Sequence, residues 1–195
     1  MTEPARRPHP PRRLLLLGGG AVLLAGGAGV LWPRAAGLPD PTDPRTTLTQ
    51  VEDAVARILP VPEITAAELA ALAQGGGRLV LLDVREPEEF AQSRIPGAIR
   101  VPPGLSASEI LARHGAAMKG AEVVFYCAVG WRSGLMVEAL RDAAAQAGAA
   151  SLRNLRGGVF RWHAEGLPLD LAQGAQGVHH FDAAWGQLLR RTLGN

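Results

Sequence analysis

Two runs of consecutive apolar residues constrain this chain most: Leu79-Val80-Leu81-Leu82 and Val123-Val124-Phe125-Tyr126. Each is too short for an ordinary helix and too uniformly apolar for a strand with one wet face. Each therefore predicts a strand buried on both faces. Such strands need helices above and below, and the sequence between them supplies helical patterns. Thr65, with Glu68 three residues on, forms a capping box for a helix through Gln74, ended by Gly75-Gly76-Gly77. Pro87 to Ser93 reads as a helical turn and Ser106 to His114 as a helix. Ser133 to Ala147 reads as a longer helix with Leu135, Met136, Ala139 and Leu140 on one face. Ile99 to Val101 and Ser151 to Leu155 complete the strands. Strands alternating with helices predict an α/β fold with a parallel sheet covered on both faces. In such sheets ligands bind at the carboxyl ends of the strands, and Cys127 stands at one of those ends.

The flanks differ in composition from this core. Leu14 to Trp32 runs 19 residues without a charge, preceded by Arg6, Arg7, Arg12 and Arg13 and followed by Arg34. That length is just enough to span a bilayer, and the flanking charge puts residues 35–195 on the far side. Residues 1–34 are thus expected to be an uncleaved membrane anchor or a twin-arginine-type export signal, with the rest of the chain facing the periplasm. Gly37 to Arg45, with Pro39, Pro41 and Pro44, reads as a linker. Leu48, Val51, Val55, Ile58 and Leu59 place a short amphipathic helix at 47–59, stopped by Pro60 and Pro62. The main domain is expected over 62–172. At 173–195 Phe181, Trp185, Leu188 and Leu189 fall on one helical face, which is expected to pack on the domain or on the 47–59 helix. Removing the N-terminal arginines leaves residues 35–195 with 15 basic and 17 acidic side chains, so no basic stripe marks nucleic-acid binding. No metal site or cofactor is expected. His179-His180 lacks nearby ligands at a recognisable spacing, and Gly18-Gly19-Gly20 lacks the residues of a phosphate loop.

Cys127 is the one cysteine, so no intrachain disulfide forms; it is a reactive thiol or a packing residue. Its surroundings favour chemistry. A buried strand ends at Cys127, a helix begins near Ser133, and the loop between holds Ala128, Val129, Gly130, Trp131 and Arg132. Gly130 permits the backbone to curl its N–H groups toward one point, and the helix adds its positive end. Arg132 contributes a fixed cation. A thiol placed there is activated without a neighbouring histidine base.

These residues resemble the rhodanese family over roughly residues 62–170. Leu82-Asp83-Val84-Arg85-Glu86-Pro87-Glu88-Glu89-Phe90 is similar to its first signature, and Arg94-Ile95-Pro96-Gly97-Ala98-Ile99 to its second. Cys127-x-x-Gly130-x-Arg132-Ser133 resembles its active-site loop, and Leu155-x-Gly157-Gly158-x-x-x-Trp162-x-x-x-Gly166-x-Pro168 its closing motif. The resemblance implies a five-stranded parallel sheet flanked by helices, and a Cys127 that cycles between thiolate and persulfide in an amide cradle built by residues 128–133. It implies a sulfur donor such as thiosulfate, a persulfide or a polysulfide. It also implies a thiol, sulfite or cyanide acceptor, with a protein as donor or acceptor in some settings.

Four residues separate Cys127 from Arg132, one fewer than in the similar loop of cysteine phosphatases, so the loop looks sized for sulfur rather than phosphate. Many thiosulfate-using members carry Arg directly after the cysteine; Ala128 and the bulky Trp131 instead favour a persulfide or protein donor. Arg94 stands where the family often has His, a change expected to alter packing more than chemistry. Asp83 and Arg85 either orient the loop by hydrogen bonds or brace the first signature. Glu86, Glu88 and Glu89 read as a solvated helix start. The rivals to an enzyme are a non-catalytic rhodanese-like scaffold module and a persulfide carrier.

Overall fold

The computed structural model describes residues 37–194. The apolar segment 14–32, expected to be an anchor or signal helix, lies outside the described residues. Among the described residues no helix is long and apolar enough to cross a membrane.

In chain order the elements are α1 (Leu48–Ile58), β1 (Glu63–Ile64), α2 (Ala66–Gln74), β2 (Leu79–Asp83), α3 (Pro87–Gln92), β3 (Ser93–Arg94), β4 (Ile99–Arg100), α4 (Ala107–Met118), β5 (Glu122–Tyr126), α5 (Trp131–Gln146), β6 (Ser151–Leu155), α6 (Gly158–Ala164), β7 (Asp170–Leu171) and α7 (Ala183–Leu193). Five strands form a sheet in the order β1-β6-β5-β2-β4, every neighbouring pair parallel. The two apolar runs are its central strands, in register from Leu79 opposite Glu122 to Asp83 opposite Tyr126. Strand β1 carries no periodic signal because it is only two residues long; it pairs with Asn154 and Leu155. A separate ribbon, β3 antiparallel to β7, was equally invisible to pattern.

Alternation along β5 sorts the core into two layers. Val123 and Phe125 face Ile110 and Met118 of α4 and Met136, Val137 and Leu140 of α5. Val124 and Tyr126 face the opposite layer, built from α1, α2, α6 and α7 with Val51, Val55, Leu69, Phe160, Leu188 and Leu189. Burying Leu188 and Leu189 alone contributes about 3–6 kcal/mol, so α7 is part of the core. Glu52, 4 % exposed, fastens α1 to α6 through Arg161, with Nε–Oε1 at 2.7 Å and Nη2–Oε2 at 3.0 Å.

Three sequence expectations need correction here. Helix α5 starts at Trp131, two residues earlier than the Ser133 start expected, because Gly130 in the left-handed region already turns the chain into the helix. Its buried face carries Ser133, Met136, Val137, Leu140 and Ala144, whereas Leu135 is exposed. Phe181 does not share the apolar face of α7. Asp182 caps that helix by accepting from Trp185 N at 2.9 Å, and Phe181 stands before the cap.

Candidate active site

Cys127 directly follows β5 and continues the side of Val123 and Phe125, in the cluster that also holds Val84, Val101 and Val137. Its side chain is only 1 % exposed. The loop that follows is held by its carbonyls. Val159 N donates to Cys127 O at 2.9 Å and Phe160 N to Ala128 O at 3.0 Å. The Asn154 Nδ2 donates to Gly130 O at 3.0 Å. The first helical bond of α5 runs from Gly134 N to Gly130 O at 3.0 Å. The N–H groups of Trp131, Arg132 and Ser133 therefore lie ahead of the bonded ladder, and Gly130, at φ +93°, has no side chain to cap them. This is a positive helix end placed beside a sulfur.

Two glycines make the arrangement possible. A Cβ on Gly130 would lie 3.3 Å from Leu155 O. At Gly158, with φ +56°, it would fall 2.4 Å from Cys127 O and 2.6 Å from Ala128 O. The start of α6 thus presses directly on the loop backbone, a contact only glycine allows. Gly158→Ala is expected to destabilise the protein by about 2–4 kcal/mol, from the clash and the backbone strain together, as read by urea unfolding. An unchanged midpoint would show that α6 does not support the loop.

Arg132 lies in the first turn of α5. Its Nη1 donates to Glu89 Oε2 at 2.8 Å and its Nη2 to Glu89 Oε1 at 2.9 Å, a bidentate pair with side chains 9 % and 2 % exposed. Burial by itself would lower the guanidinium's pKa. The Glu89 hydrogen bonds, together with the charge and hydrogen bond of Cys127, outweigh that and hold it above its ordinary value. Arg132 is therefore a permanent cation shared between Glu89 and the thiol. On its face sits Phe181, with the ring centroid 5.0 Å from Cζ.

Glu89 corrects the expectation of a solvated acidic run. Glu88 is exposed, but Glu89 is 1 % exposed, and its Oε2 also accepts from Glu86 N at 2.9 Å. The available signal was the demand of a buried arginine for a buried anion; nothing in the sequence said which of three acids answers it. Phe181 was missed for another reason: its helical spacing suited α7, although Asp182 already marked the helix start.

The remaining expected site residues fall as follows. Ala128 and Val129 are 6 % and 4 % exposed, Gly130 is buried, and Trp131 is half-buried against the α1/α6 layer. Ser133 is 0 % exposed, and its Oγ has no hydrogen-bond partner. Asp83 and Arg85, both fully buried, bond chiefly to each other, with Nε at 3.0 Å from both carboxylate oxygens and Nη2–Oδ2 at 2.6 Å. Arg85 Nη2 also donates to Ser93 O, which ties β2 to β3 and braces the first signature. Burial, with the Asp83 charge next, pushes the neighbouring Tyr126 hydroxyl up; its oxygen accepts from Ile95 N at 3.2 Å. Arg94 packs on the Phe90 ring, 5.2 Å from its centroid, and pairs with Asp170 at 3.6 Å.

Comparison with known proteins agrees with this geometry. The family model of the rhodanese-like domain matches residues 65–165. A protein named sulfurtransferase from Allochromatium vinosum is 36% identical over 96 residues, 49% of this chain and 82% of that protein. The HTH-type transcriptional regulator Rv0324 of Mycobacterium tuberculosis is 33% identical over 127 residues; the match spans 63% of this chain and only 52% of the regulator. The crystal structure of a thiosulfate sulfurtransferase from Pseudomonas aeruginosa has a TM-score of 0.52 at 24% identity, covering 72% of this chain and 26% of that one, a likeness of fold. The matched span takes in both central strands, the Cys127 loop and the Gly157-Gly158 motif, and the chain belongs to the rhodanese-like domain family.

Proposed function

We propose that the protein is a sulfurtransferase that moves a sulfane sulfur through a persulfide on Cys127. The observation that carries this reading is the shared cation. Arg132, at the uncapped start of α5, is drawn both to the Glu89 carboxylate and to the Cys127 sulfur. The family's sulfurtransferase relative supports it.

In the first step the Cys127 thiolate attacks the sulfane sulfur of a donor. A new S–S bond forms as the donor's own bond to that sulfur breaks, and the bonding pair leaves with the donor: sulfite from thiosulfate, a thiolate from a persulfide. The terminal sulfur, now negative, lies by the N–H groups of the loop and helix start. An acceptor thiolate, sulfite or cyanide then attacks the outer sulfur, and the pair returns to Cys127. Glu89 holds Arg132 in place throughout, and Asn154 and Gly158 hold the loop.

The 1 % exposure of the thiol favours a second reading, a persulfide carrier or binding module that shelters sulfur and hands it to a partner without rapid turnover. Intact mass after incubation with thiosulfate, polysulfide or an organic persulfide tests the first step. The expected result is a gain of one sulfur atom, reversed by a thiol reductant. No gain with any donor overturns the persulfide and leaves the binding module. A gain without steady-state turnover leaves the carrier.

We further propose that residues 14–32 tether this domain to a membrane or export it, so that it works in the periplasm. The support is the length of the uncharged segment and the arginines before it. Finding the chain in the soluble cytoplasmic fraction after expression in a bacterium would overturn this.

A further inference from the structure

The segment between β7 and α7 lies outside the span shared with the family, yet it reaches the site. Val178 buries its side chain to 7 % exposure. Gln92 Nε2 donates to Gly177 O at 3.2 Å, and His179 N donates to Ser93 Oγ at 3.3 Å. These bonds tie the segment to α3 and β3, the same stretch that carries Glu89. Phe181 then adopts φ +66°, the one positive φ of a non-glycine among the described residues. An aromatic residue rarely takes this conformation, and it is fixed on both sides. Phe181 N donates to His179 Nδ1 at 3.1 Å, and Asp182 N donates to His180 O at 2.8 Å. The result is a half-exposed ring stacked on a guanidinium that is 9 % exposed. The ring therefore lies on the solvent side of the cation.

A sulfonate-bearing donor needs what this arrangement withholds. Its oxygens seek free N–H donors and net positive charge. Both terminal nitrogens of Arg132 already donate to Glu89, whose charge cancels the cation, and Phe181 covers its face. The loop side chains Ala128, Val129 and Trp131 are apolar. A sulfur carried on an organic thiol asks only for apolar contact around its sulfur–sulfur bond.

We propose that Phe181 is a specificity-determining residue of the Cys127 site. It closes Arg132 to a donor's sulfonate and so directs the site to sulfane sulfur carried on an organic thiol. This rests on the reading of Cys127 as a sulfur-accepting nucleophile.

The experiment compares the parent protein with Phe181→Gly and Phe181→Tyr, measuring kcat/KM for thiosulfate and for glutathione persulfide with a common acceptor. Glycine suits the backbone at φ +66°, so Phe181→Gly is expected to unfold at no lower temperature than the parent, which removes misfolding as a cause. The thiosulfate-to-persulfide ratio is expected to rise about tenfold in Phe181→Gly, the size of one charge-assisted hydrogen bond gained by the sulfonate. The gain is expected in KM for thiosulfate, with tighter inhibition by sulfite. Phe181→Tyr keeps the ring and is expected to keep the parent ratio. An unmoved or lower ratio in Phe181→Gly overturns the inference alone. A parent that takes sulfur from neither donor overturns both the inference and the reading of Cys127.

Discussion

Cys127→Ser is expected to lose sulfur transfer by at least about 10³-fold, the scale on which an enzyme loses its covalent nucleophile, while the far-UV spectrum and the cooperativity of unfolding stay those of the parent. The chemistry needs a polarisable thiolate that can hold a second sulfur, and a hydroxyl at the same place does neither. The stability cost is expected to be small, about 1–2 kcal/mol, because one buried polar atom replaces another of similar shape in the cluster of Val84, Phe125 and Val137. Two measurements check this: steady-state turnover with each donor, and intact mass after donor treatment. A Cys127→Ser protein that still turns over would place the chemistry elsewhere. With no other cysteine in the chain, it would also dismiss the persulfide.

Glu89→Gln is expected to lower the unfolding free energy by about 3–5 kcal/mol, the usual cost of removing one partner of a buried ion pair. The side chain keeps its shape, but Arg132 is left as a buried cation with no counter-charge. The effect should appear as a lower urea midpoint at unchanged slope. The double variant Glu89→Gln with Arg132→Met is expected to regain much of that loss, since neither charge then remains buried. It is not expected to regain transfer, because the cation beside Cys127 is gone. A double variant that is stable and still transfers sulfur at the parent rate would show that the pair only braces the fold.

The scaffold was largely legible in the sequence because its signals are local. Leu79 to Leu82 and Val123 to Tyr126 are apolar on both faces, and residues buried on both faces are what central parallel strands need. The Thr65–Glu68 capping box forms as read, with Thr65 N donating to Glu68 Oε2 at 2.9 Å and Glu68 N to Thr65 Oγ1 at 3.2 Å. Strand β1 was not legible. Two residues carry no period, and Glu63–Ile64 becomes a strand only because Asn154 and Leu155 lie alongside.

The order of Cys127, Gly130 and Arg132, and the glycines that let the chain turn around them, are written in the sequence, since each rests on a residue's own conformational range or chemistry. What Arg132 does with its charge is decided elsewhere. Glu89 stands 43 residues away along the chain, and Phe181 another 49 residues beyond Arg132; only the packing of α3 and of the β7–α7 segment brings both to one guanidinium. Periodicity and propensity report on neighbours within a turn or two, whereas a buried charge is satisfied by whichever partner the assembled fold delivers to it.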